Sequence, residues 1–313
     1  MIYTLTLNPA IDKTVVIPNF TPGSVNRIQS LRTDVGGKGI NVSKCLKALQ
    51  CESTAVAFWG GNSGIAGPKY LQENGIDQLS IRIQEDTRTN LKIIDQVLQL
   101  NTDINEPGPV IDRSDLNRLI ELLDDNIQPG DILILSGSIP QGIDATIYRD
   151  FIYRYKSQDV YVYLDADGEN FRHAVKACPH LIKPNIDELS NYLNITFSCR
   201  KEIMCAAQQF LQAGINEVVV SLGSEGALFI TKNHCYFAHG LQVPVQSTVG
   251  AGDSMVAAFA FGQQVGLDDI QRLKLSVAIS AASVMCSGTQ APDVKTIKRL
   301  YTQVKTEELF YDC

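Results

Sequence analysis

Strand-like and helix-like segments alternate along most of this chain, and that alternation limits the folds open to it. Short apolar runs typical of buried strands occupy residues 54–58, 132–135, 160–164, 181–183 and 218–221. Helix-like runs follow at residues 114–123, 145–155, 170–176, 187–193 and 200–213, and the last third adds 252–264, 269–286 and 294–305. Such βα alternation predicts a mostly parallel sheet with helices on both faces.

Two other segments, residues 13–35 and 90–104, contain short alternating patterns and no long helical run. We expect them to form a small β-sheet beside the main domain, the alternative being an extension of the main sheet. The predicted division is therefore a core of residues 1–12, 36–89 and 105–313, and a discontinuous small unit of residues 13–35 and 90–104. The chain shows no fixed-period repeat.

Charge and composition exclude several classes of partner. The 313 residues include 34 acidic and 27 basic side chains, which gives a net charge of −7 and argues against nucleic acid or anionic membrane as the main partner. No apolar run reaches the ~18 residues needed to span a bilayer. Met1 leads directly into a strand-like run, so we predict no secretory leader and a cytoplasmic location. The eight cysteines form no C-x-x-C pair, and none of the four histidines is placed to complete a zinc site.

The segment T-V-G-A-G-D-S, residues 248–254, precedes an apolar helical run at residues 255–261. Small residues allow a backbone loop to approach a bulky ligand, and the first N–H groups of a helix are free to bind an anion. Asp253 lies in that first turn, where a carboxylate would accept a proton beside a bound phosphate. An ordinary helix N-cap is the competing interpretation.

This segment resembles the C-terminal signature of the PfkB (ribokinase-like) carbohydrate kinases, and other motifs of that family follow in order along the chain. They are T-L-T-L-N-P-A-I-D (4–12), G-G-K-G-I-N-V (36–42), T-R-T-N (87–90), D-I-N-E-P-G-P (103–109), S-G-S-I-P (136–140), K-P-N-I-D-E (183–188) and S-L-G-S-E-G-A (221–227). The match is strongest to the subgroup of 1-phosphofructokinases and tagatose-6-phosphate kinases.

The resemblance implies a Rossmann-type, three-layer α/β/α domain in which the small sheet is a lid over the sugar and a possible homodimer contact. It implies transfer of a phosphoryl group from ATP, with Mg²⁺, to a sugar phosphate. Fructose 1-phosphate is the expected substrate and tagatose 6-phosphate the alternative. An inactive sugar-phosphate or nucleotide sensor is less favoured because Asp253 is present. A nucleotide-linked dehydrogenase would carry the sequence G-x-G-x-x-G in its first βα turn. The first such turn of this chain, residues 7–10, has no glycine, so this alternative is disfavoured.

The family motifs also imply residue roles. Asp253 is the expected general base, and the backbone N–H groups of Gly250, Ala251 and Gly252 would hold the phosphoryl group in flight. The sugar phosphate would be bound by residues of four N-terminal motifs and one nearby arginine: Asp12, Gly37, Lys38, Asn41, Arg88, Ser138 and Arg27. Of these, Arg88 is the best phosphate ligand, since a guanidinium binds phosphate oxygens in pairs. Without the family resemblance, the alternative interpretation is that Asp12 is an ordinary aspartate in a turn and Lys38 a solvent-exposed lysine in a surface turn.

The nucleotide would be bound by residues after two later strands: Lys183, Asn185, Ser221, Gly223 and Gly226. Asn185 and Glu188 lie three positions apart on one helix face. They suit contact to a hydrated Mg²⁺ carried by the nucleotide phosphates, because they are too few to enclose the ion alone. A helix-capping pair is the alternative interpretation of the same two residues.

Overall fold

A computed structural model describes residues 1–310. Its strands are β1 (Ile2–Thr6), β2 (Ala10–Val16), β3 (Ser30–Gly36), β4 (Thr54–Gly60), β5 (Asp77–Ile83), β6 (Arg88–Asp95), β7 (Leu100–Asn105), β8 (Ile132–Ser136), β9 (Tyr161–Asp165), β10 (Leu181–Ile182), β11 (Glu217–Ser221), β12 (Gly226–Thr231), β13 (Cys235–His239) and β14 (Thr306–Leu309). Its α-helices are α1 (Lys38–Ala48), α2 (Ala66–Glu73), α3 (Arg113–Asn126), α4 (Ile147–Lys156), α5 (Gly168–Ala174), α6 (Ile186–Leu193), α7 (Arg200–Gln212), α8 (Ala251–Val265), α9 (Asp269–Val284) and α10 (Val294–Tyr301).

Within residues 1–310, ten strands form the main sheet, in the order β14-β13-β12-β11-β10-β9-β8-β1-β4-β5. The strands from β11 to β5 pair in parallel, whereas β12, β13 and β14 add an antiparallel edge. Parallel strands buried on both faces read as continuous apolar runs. That is why β8, with the sequence I-L-I-L-S, is completely buried.

Alternate residues of these strands enter two separate hydrophobic clusters, one on each face of the sheet. On one face Leu133 and Leu135 pack with side chains of α3 to α7. On the other face Ile132 and Ile134 pack with side chains of α1, α8, α9 and α10. Two helical layers therefore enclose one sheet, which confirms the predicted three-layer α/β/α architecture.

The remaining four strands form a separate sheet in the order β3-β2-β6-β7. β2 pairs antiparallel with β3 and parallel with β6, and β7 is an antiparallel edge strand. A small second sheet is thus present where it was expected, although β2 begins at Ala10 and β6 at Arg88. Treating it as a unit distinct from the core remains an interpretation.

Most predicted elements coincide with observed ones to within a few residues, but the C-terminal region differs. The helix predicted over residues 294–305 is longer than the observed one, since α10 ends at Tyr301 and a strand, β14, begins at Thr306. The antiparallel hairpin β12–β13 was not predicted. No helix within residues 1–310 is both long enough and apolar enough to cross a membrane.

Candidate active site

A cleft of about 470 Å³ opens between the small sheet and the carboxyl ends of the parallel strands. Asp165 ends β9, Lys183 follows β10, and Ser221 ends β11, and all three line the cleft. Ligands of open α/β folds bind at this edge because the loops that leave the parallel strands meet there. The position of the cleft follows from the topology alone.

The N-terminus of α8 forms one wall of the cleft. Gly250 is its N-cap and has a φ of 83°, a left-handed conformation that favours glycine. The first N–H groups of a helix lack intrahelical acceptors and carry the positive end of the helix dipole. A Cβ added to Gly252 would lie 3.2 Å from the Lys183 Nζ, so an ammonium group stands beside these amides. The arrangement suits a phosphoryl group.

Asp253, in the same helical turn, is only 5% exposed, yet it lines the cleft. Asn41 on α1 donates a hydrogen bond from its Nδ2 to the Asp253 Oδ2 at 2.8 Å. This contact joins two helices whose N-termini both face the cleft, and it leaves the second carboxylate oxygen for another partner. A general base that removes the proton from a hydroxyl group during its phosphorylation must be held in place beside the anion site, and the fixed Asp253 carboxylate has this geometry.

Asp165 lies behind this centre and is fully buried. Its Oδ1 accepts a hydrogen bond from the Lys38 Nζ and forms an ion pair with the Lys183 Nζ, each at 3.3 Å. Burial alone raises the pKa of a carboxyl group, but here the two ammonium groups outweigh it and hold the pKa of Asp165 below its ordinary value. One carboxylate thus holds two lysines at the floor of the cleft.

The same surroundings act on Asp253 in the opposite direction. Burial and the negative charge of Asp165 raise its pKa to about 6, while Lys38, Asn41 and Lys183 partly oppose that rise. The carboxylate remains mostly ionised at neutral pH, and it is a better proton acceptor than an exposed aspartate. The pKa of Lys38 is raised despite its burial, because Asp165 and Asp253 favour the charged ammonium.

Residues of the small sheet form the opposite wall. Asp12 and Asn90 are register partners on β2 and β6, and the Asn90 Nδ2 donates to the Asp12 Oδ1 at 2.9 Å. Burial raises the pKa of Asp12, although the Asn90 hydrogen bond, Lys44 and Arg88 oppose the rise. A carboxylate and an amide held side by side can bind two neighbouring sugar hydroxyls.

Arg88 begins β6 and is half-buried at the inner end of this wall. Its Nη2 donates to the Asn8 carbonyl oxygen at 3.0 Å and its Nη1 to the Glu106 carbonyl oxygen at 3.3 Å. Burial lowers its pKa, and Asp12 and Glu106 oppose that change. Part of this guanidinium therefore anchors the loops that flank the cleft.

Asn185 and Glu188 form a capping box at the start of α6. The Asn185 Oδ1 accepts from the Glu188 backbone N–H at 2.7 Å, and the Glu188 Oε2 accepts from the Asn185 backbone N–H at 2.8 Å. The capping interpretation is confirmed by this geometry. Both residues nevertheless line the cleft, so the second carboxylate oxygen of Glu188 stays available to a ligand.

Residues 4–297 match the pfkB family of carbohydrate kinases. The chain belongs to this family. It is 34% identical over 311 residues to the 1-phosphofructokinase of Borreliella burgdorferi, covering 99% of each chain, and 33% identical over 311 residues to that of Bacillus subtilis, covering 99% and 100%. Its fold is similar to the crystal structure of a putative phosphofructokinase from Staphylococcus aureus, with a TM-score of 0.85, 33% identity and 99% coverage of both chains.

Most residues that the pfkB motifs point to meet in the cleft. Those in its lining are Asp12, Gly37, Lys38, Asn41, Arg88, Lys183, Asn185, Glu188, Ser221, Gly250, Gly252 and Asp253. Five others lie outside the lining: Ala251, Ser138, Gly223, Gly226 and Arg27. Ser138 accepts a hydrogen bond from Asn8 behind the wall, and Arg27 is exposed on the β2–β3 loop.

Two residues with clear contacts in the site were not among the predicted ones. Asn90 belongs to the T-R-T-N motif, so its strand register with Asp12 is the signal that would have identified it. Asp165 directly follows the predicted strand 160–164 and ends the observed β9, on the same sheet edge as Lys183, and an acidic residue at that edge was the available signal.

Proposed function

We propose that this pfkB kinase transfers the γ-phosphoryl group of ATP to fructose 1-phosphate, giving fructose 1,6-bisphosphate and ADP. The observation that carries the proposal is the arrangement at the cleft floor. Asp253, with a pKa near 6, lies at the N-terminus of α8 beside Lys183 and opposite Asp12 and Asn90. The relatives named 1-phosphofructokinase, which match over almost their whole length, give the substrate class.

In the proposed reaction the sugar hydroxyl oxygen attacks the γ-phosphorus while the bond to the ADP oxygen breaks. Asp253 accepts the hydroxyl proton, and Asn41 fixes the carboxylate that does so. The amides of Gly250, Ala251 and Gly252 would stabilise the charge on the transferred group, together with Lys38 and Lys183. Positioning and charge stabilisation supply most of the catalysis in such transfers.

We further propose that ATP binds with Mg²⁺ on the side of the cleft formed by Lys183, Asn185 and Ser221. Among residues 1–310 no cluster of three or more His, Cys, Asp or Glu side chains can hold a metal ion. The free oxygen of Glu188 fits a Mg²⁺ ion that keeps most of its waters and binds mainly to phosphates. When bound, the ion would neutralise charge on the ATP phosphates. Gly223 and Gly226, outside the lining, would shape the loop beyond Ser221.

Asp12 and Asn90 would bind hydroxyl groups of the sugar, and Arg88 would contribute to the phosphate that the sugar already carries. The direct test is a coupled assay of ADP release with fructose 1-phosphate, tagatose 6-phosphate and fructose 6-phosphate as acceptors. We expect the highest kcat/KM with fructose 1-phosphate. A higher value for tagatose 6-phosphate would replace the substrate and keep the kinase, whereas ADP release with none of the three would refute the proposed function.

We also propose that the small sheet acts as a lid and as a contact between two copies of the chain in the cytoplasm. Seven large apolar side chains are exposed on the small sheet and its loops: Val25, Ile28, Leu31, Val97, Leu98, Leu100 and Ile104. An apolar patch of this kind on a soluble domain is typical of an interface. Arg27 lies on the same loop as Val25 and Ile28, so such a contact would cover it.

Light scattering after gel filtration tests this contact. The unaltered chain is expected to have twice the mass of one copy, and the double variant Leu31→Glu with Leu100→Glu the mass of one. The matched control is Tyr153→Glu, which introduces the same charge at an exposed apolar side chain on α4, outside the small sheet. This variant is expected to leave the mass unchanged. An unaltered mass in the double variant would refute the contact.

A further inference from the structure

An arginine of the small sheet is bonded to the segment that follows α9 in the core. Arg32 and Asp34 lie two positions apart on β3, so they share the face of the small sheet on which Asp34 lines the cleft. The Arg32 Nε donates to the Asp34 Oδ2 at 2.8 Å, which orients the guanidinium. The Arg32 Nη2 donates to the backbone carbonyl oxygen of Ser287. Arg32 and Ser287 both lie outside the cleft lining, so this contact joins two parts of the fold and not a substrate to the fold.

Gly288 makes this close approach possible. Its φ of 61° lies in the left-handed region that favours glycine. A Cβ added to it would lie 1.9 Å from the Arg32 Nη2 and 2.8 Å from the Asp34 Oδ2, and both distances are too short for a carbon atom. Gly288 and Thr289 line the cleft, so the segment that Arg32 binds forms part of the cleft wall.

The same segment is bonded to the loop that carries the proposed phosphoryl site. The Ser287 Oγ donates to the Gln246 Oε1 at 2.6 Å. Gln246 lies four residues before Gly250, the N-cap of α8. Residues 241–250 contain no helix or strand, so this loop takes its position from contacts of this kind. Ser287 thus joins Arg32 of the small sheet, through its carbonyl oxygen, to the loop before α8, through its hydroxyl group.

Lys44 forms a second link between the small sheet and the same segment, but this link is buried. Its Nζ donates to the Val35 carbonyl oxygen and, at 3.2 Å, to the Thr289 Oγ1. Lys44 is 4% exposed, whereas the Arg32 side chain is 29% exposed. Arg32 lies three residues before Val35, ~10 Å away along the strand. Lys44 therefore holds one end of β3 as part of the fold, and the Arg32 contact fixes the more exposed part of the same strand.

We propose that Arg32 is a positioning residue for phosphoryl transfer, because it holds the loop before α8 in place through Ser287. This inference rests on the proposed function, since that loop leads into the amides that would bind the transferred group. The Arg32 contact and the Ser287–Gln246 hydrogen bond act in series on the loop. Arg32 touches neither substrate, so its loss slows the transfer step and leaves substrate binding unchanged.

The first test is steady-state kinetics of Arg32→Met with ATP and fructose 1-phosphate. We expect kcat to fall about 5–50-fold, since a small misplacement of the anion site is costly, while both KM values change less than threefold. Arg32→Lys keeps a donor for the Ser287 carbonyl oxygen and should lose less kcat than Arg32→Met. The matched control is Arg172→Met, because Arg172 on α5 also donates to backbone carbonyl oxygens, those of Asn191 and Tyr192, outside the cleft. That control should keep its kcat.

A double-variant cycle with Ser287→Ala tests whether the two contacts act in series. Ser287→Ala removes the hydroxyl that donates to Gln246 and keeps the backbone carbonyl that accepts from Arg32. If both contacts act on one loop, the double variant should lose little more kcat than the more impaired single variant. Losses that multiply would overturn the proposal. A KM rise for one substrate alone in Arg32→Met would also overturn it, since that result would place the guanidinium on a ligand.

Amide hydrogen exchange separates this inference from the proposed function, because it needs no turnover. Mass spectrometry of the ligand-free protein should show faster exchange in the peptide of residues 244–254 in Arg32→Met and unchanged exchange there in Arg172→Met. If the unaltered protein turns over none of the three acceptors, the proposed function fails, while faster exchange in that peptide still supports the positioning role. Unchanged exchange in that peptide of Arg32→Met would overturn the inference.

Discussion

Replacing Asp253 by Asn should make the folded protein more stable while it removes the proposed catalytic base. The carboxyl group has an ordinary pKa of 3.8 and a pKa of about 6 in the folded chain. Since each pKa unit corresponds to 1.36 kcal/mol, keeping this buried carboxylate ionised at neutral pH costs up to ~3 kcal/mol. Relaxation and water entry reduce such penalties, so we expect Asp253→Asn to raise the free energy of unfolding by about 1–3 kcal/mol at pH 7.5.

The sign of this effect depends on pH in a defined window. Between about pH 4 and pH 6 the folded chain binds more protons at Asp253 than the unfolded chain does. The stability contribution of this group therefore falls as the pH rises through that window and stays constant above it. Below about pH 4 the carboxyl group is protonated in both states, and the advantage of the Asn variant should disappear.

Urea unfolding of the two proteins at several pH values is the assay. Asp165→Asn is the matched control of opposite sign, because the folded state lowers the pKa of Asp165 and the change leaves Lys38 and Lys183 without their common partner. That control should be less stable than the unaltered protein at pH 7.5. A loss of stability in Asp253→Asn at pH 7.5 would refute the argument, and so would a gain that persists below pH 4.

The contacts of the cleft give a kinetic prediction for each of four variants. Gly252→Ala should lower kcat more than it raises either KM, since the added Cβ would lie in the proposed phosphoryl site, and steady-state kinetics with both substrates checks this. Asn41→Leu should move the acid limb of kcat/KM to higher pH, because it removes a hydrogen bond that favours the ionised Asp253; an unmoved limb in the pH profile would contradict this. Arg88→Ala should raise KM for the sugar phosphate and not for ATP, because Arg88 lies on the sugar side of the cleft. Lys38→Met should mainly lower kcat, because Lys38 lies beside the transferred group. For either variant, equal rises in the KM values of both substrates would contradict that placement.

Much of the fold was predictable because local sequence patterns agree with it. The strand β8 and the helices α3 and α7 coincide with apolar runs of the appropriate period, so pattern alone finds them. The edge strand β14 was missed because its sequence, T-E-E-L, is polar and becomes a strand only by pairing with β13. Its structure depends on a partner strand about 70 residues away along the chain, which no local pattern reports.

The candidate site was predictable to the extent that its residues lie in motifs at helix and strand ends. Gly250 and Asp253 are such residues, since a glycine N-cap and a first-turn carboxylate are visible in the sequence. The interaction of Asp165 with Lys38 and Lys183 is not, because it joins residues from three separate elements. The raised pKa of Asp253 depends on that interaction and on burial, so it follows only from the three-dimensional structure.

The measurement that tests the central claim most directly is a single-turnover reaction of the unaltered protein and of Asp253→Asn with ATP, Mg²⁺ and fructose 1-phosphate. Phosphorus NMR would identify the product and rapid quench would give the rate. We predict fructose 1,6-bisphosphate from the unaltered protein and a rate ~10²–10⁴-fold lower from the Asn variant, with fructose 1-phosphate binding retained. A rate within a few-fold of the unaltered protein would contradict the role of Asp253, and a product other than fructose 1,6-bisphosphate would contradict the proposed reaction.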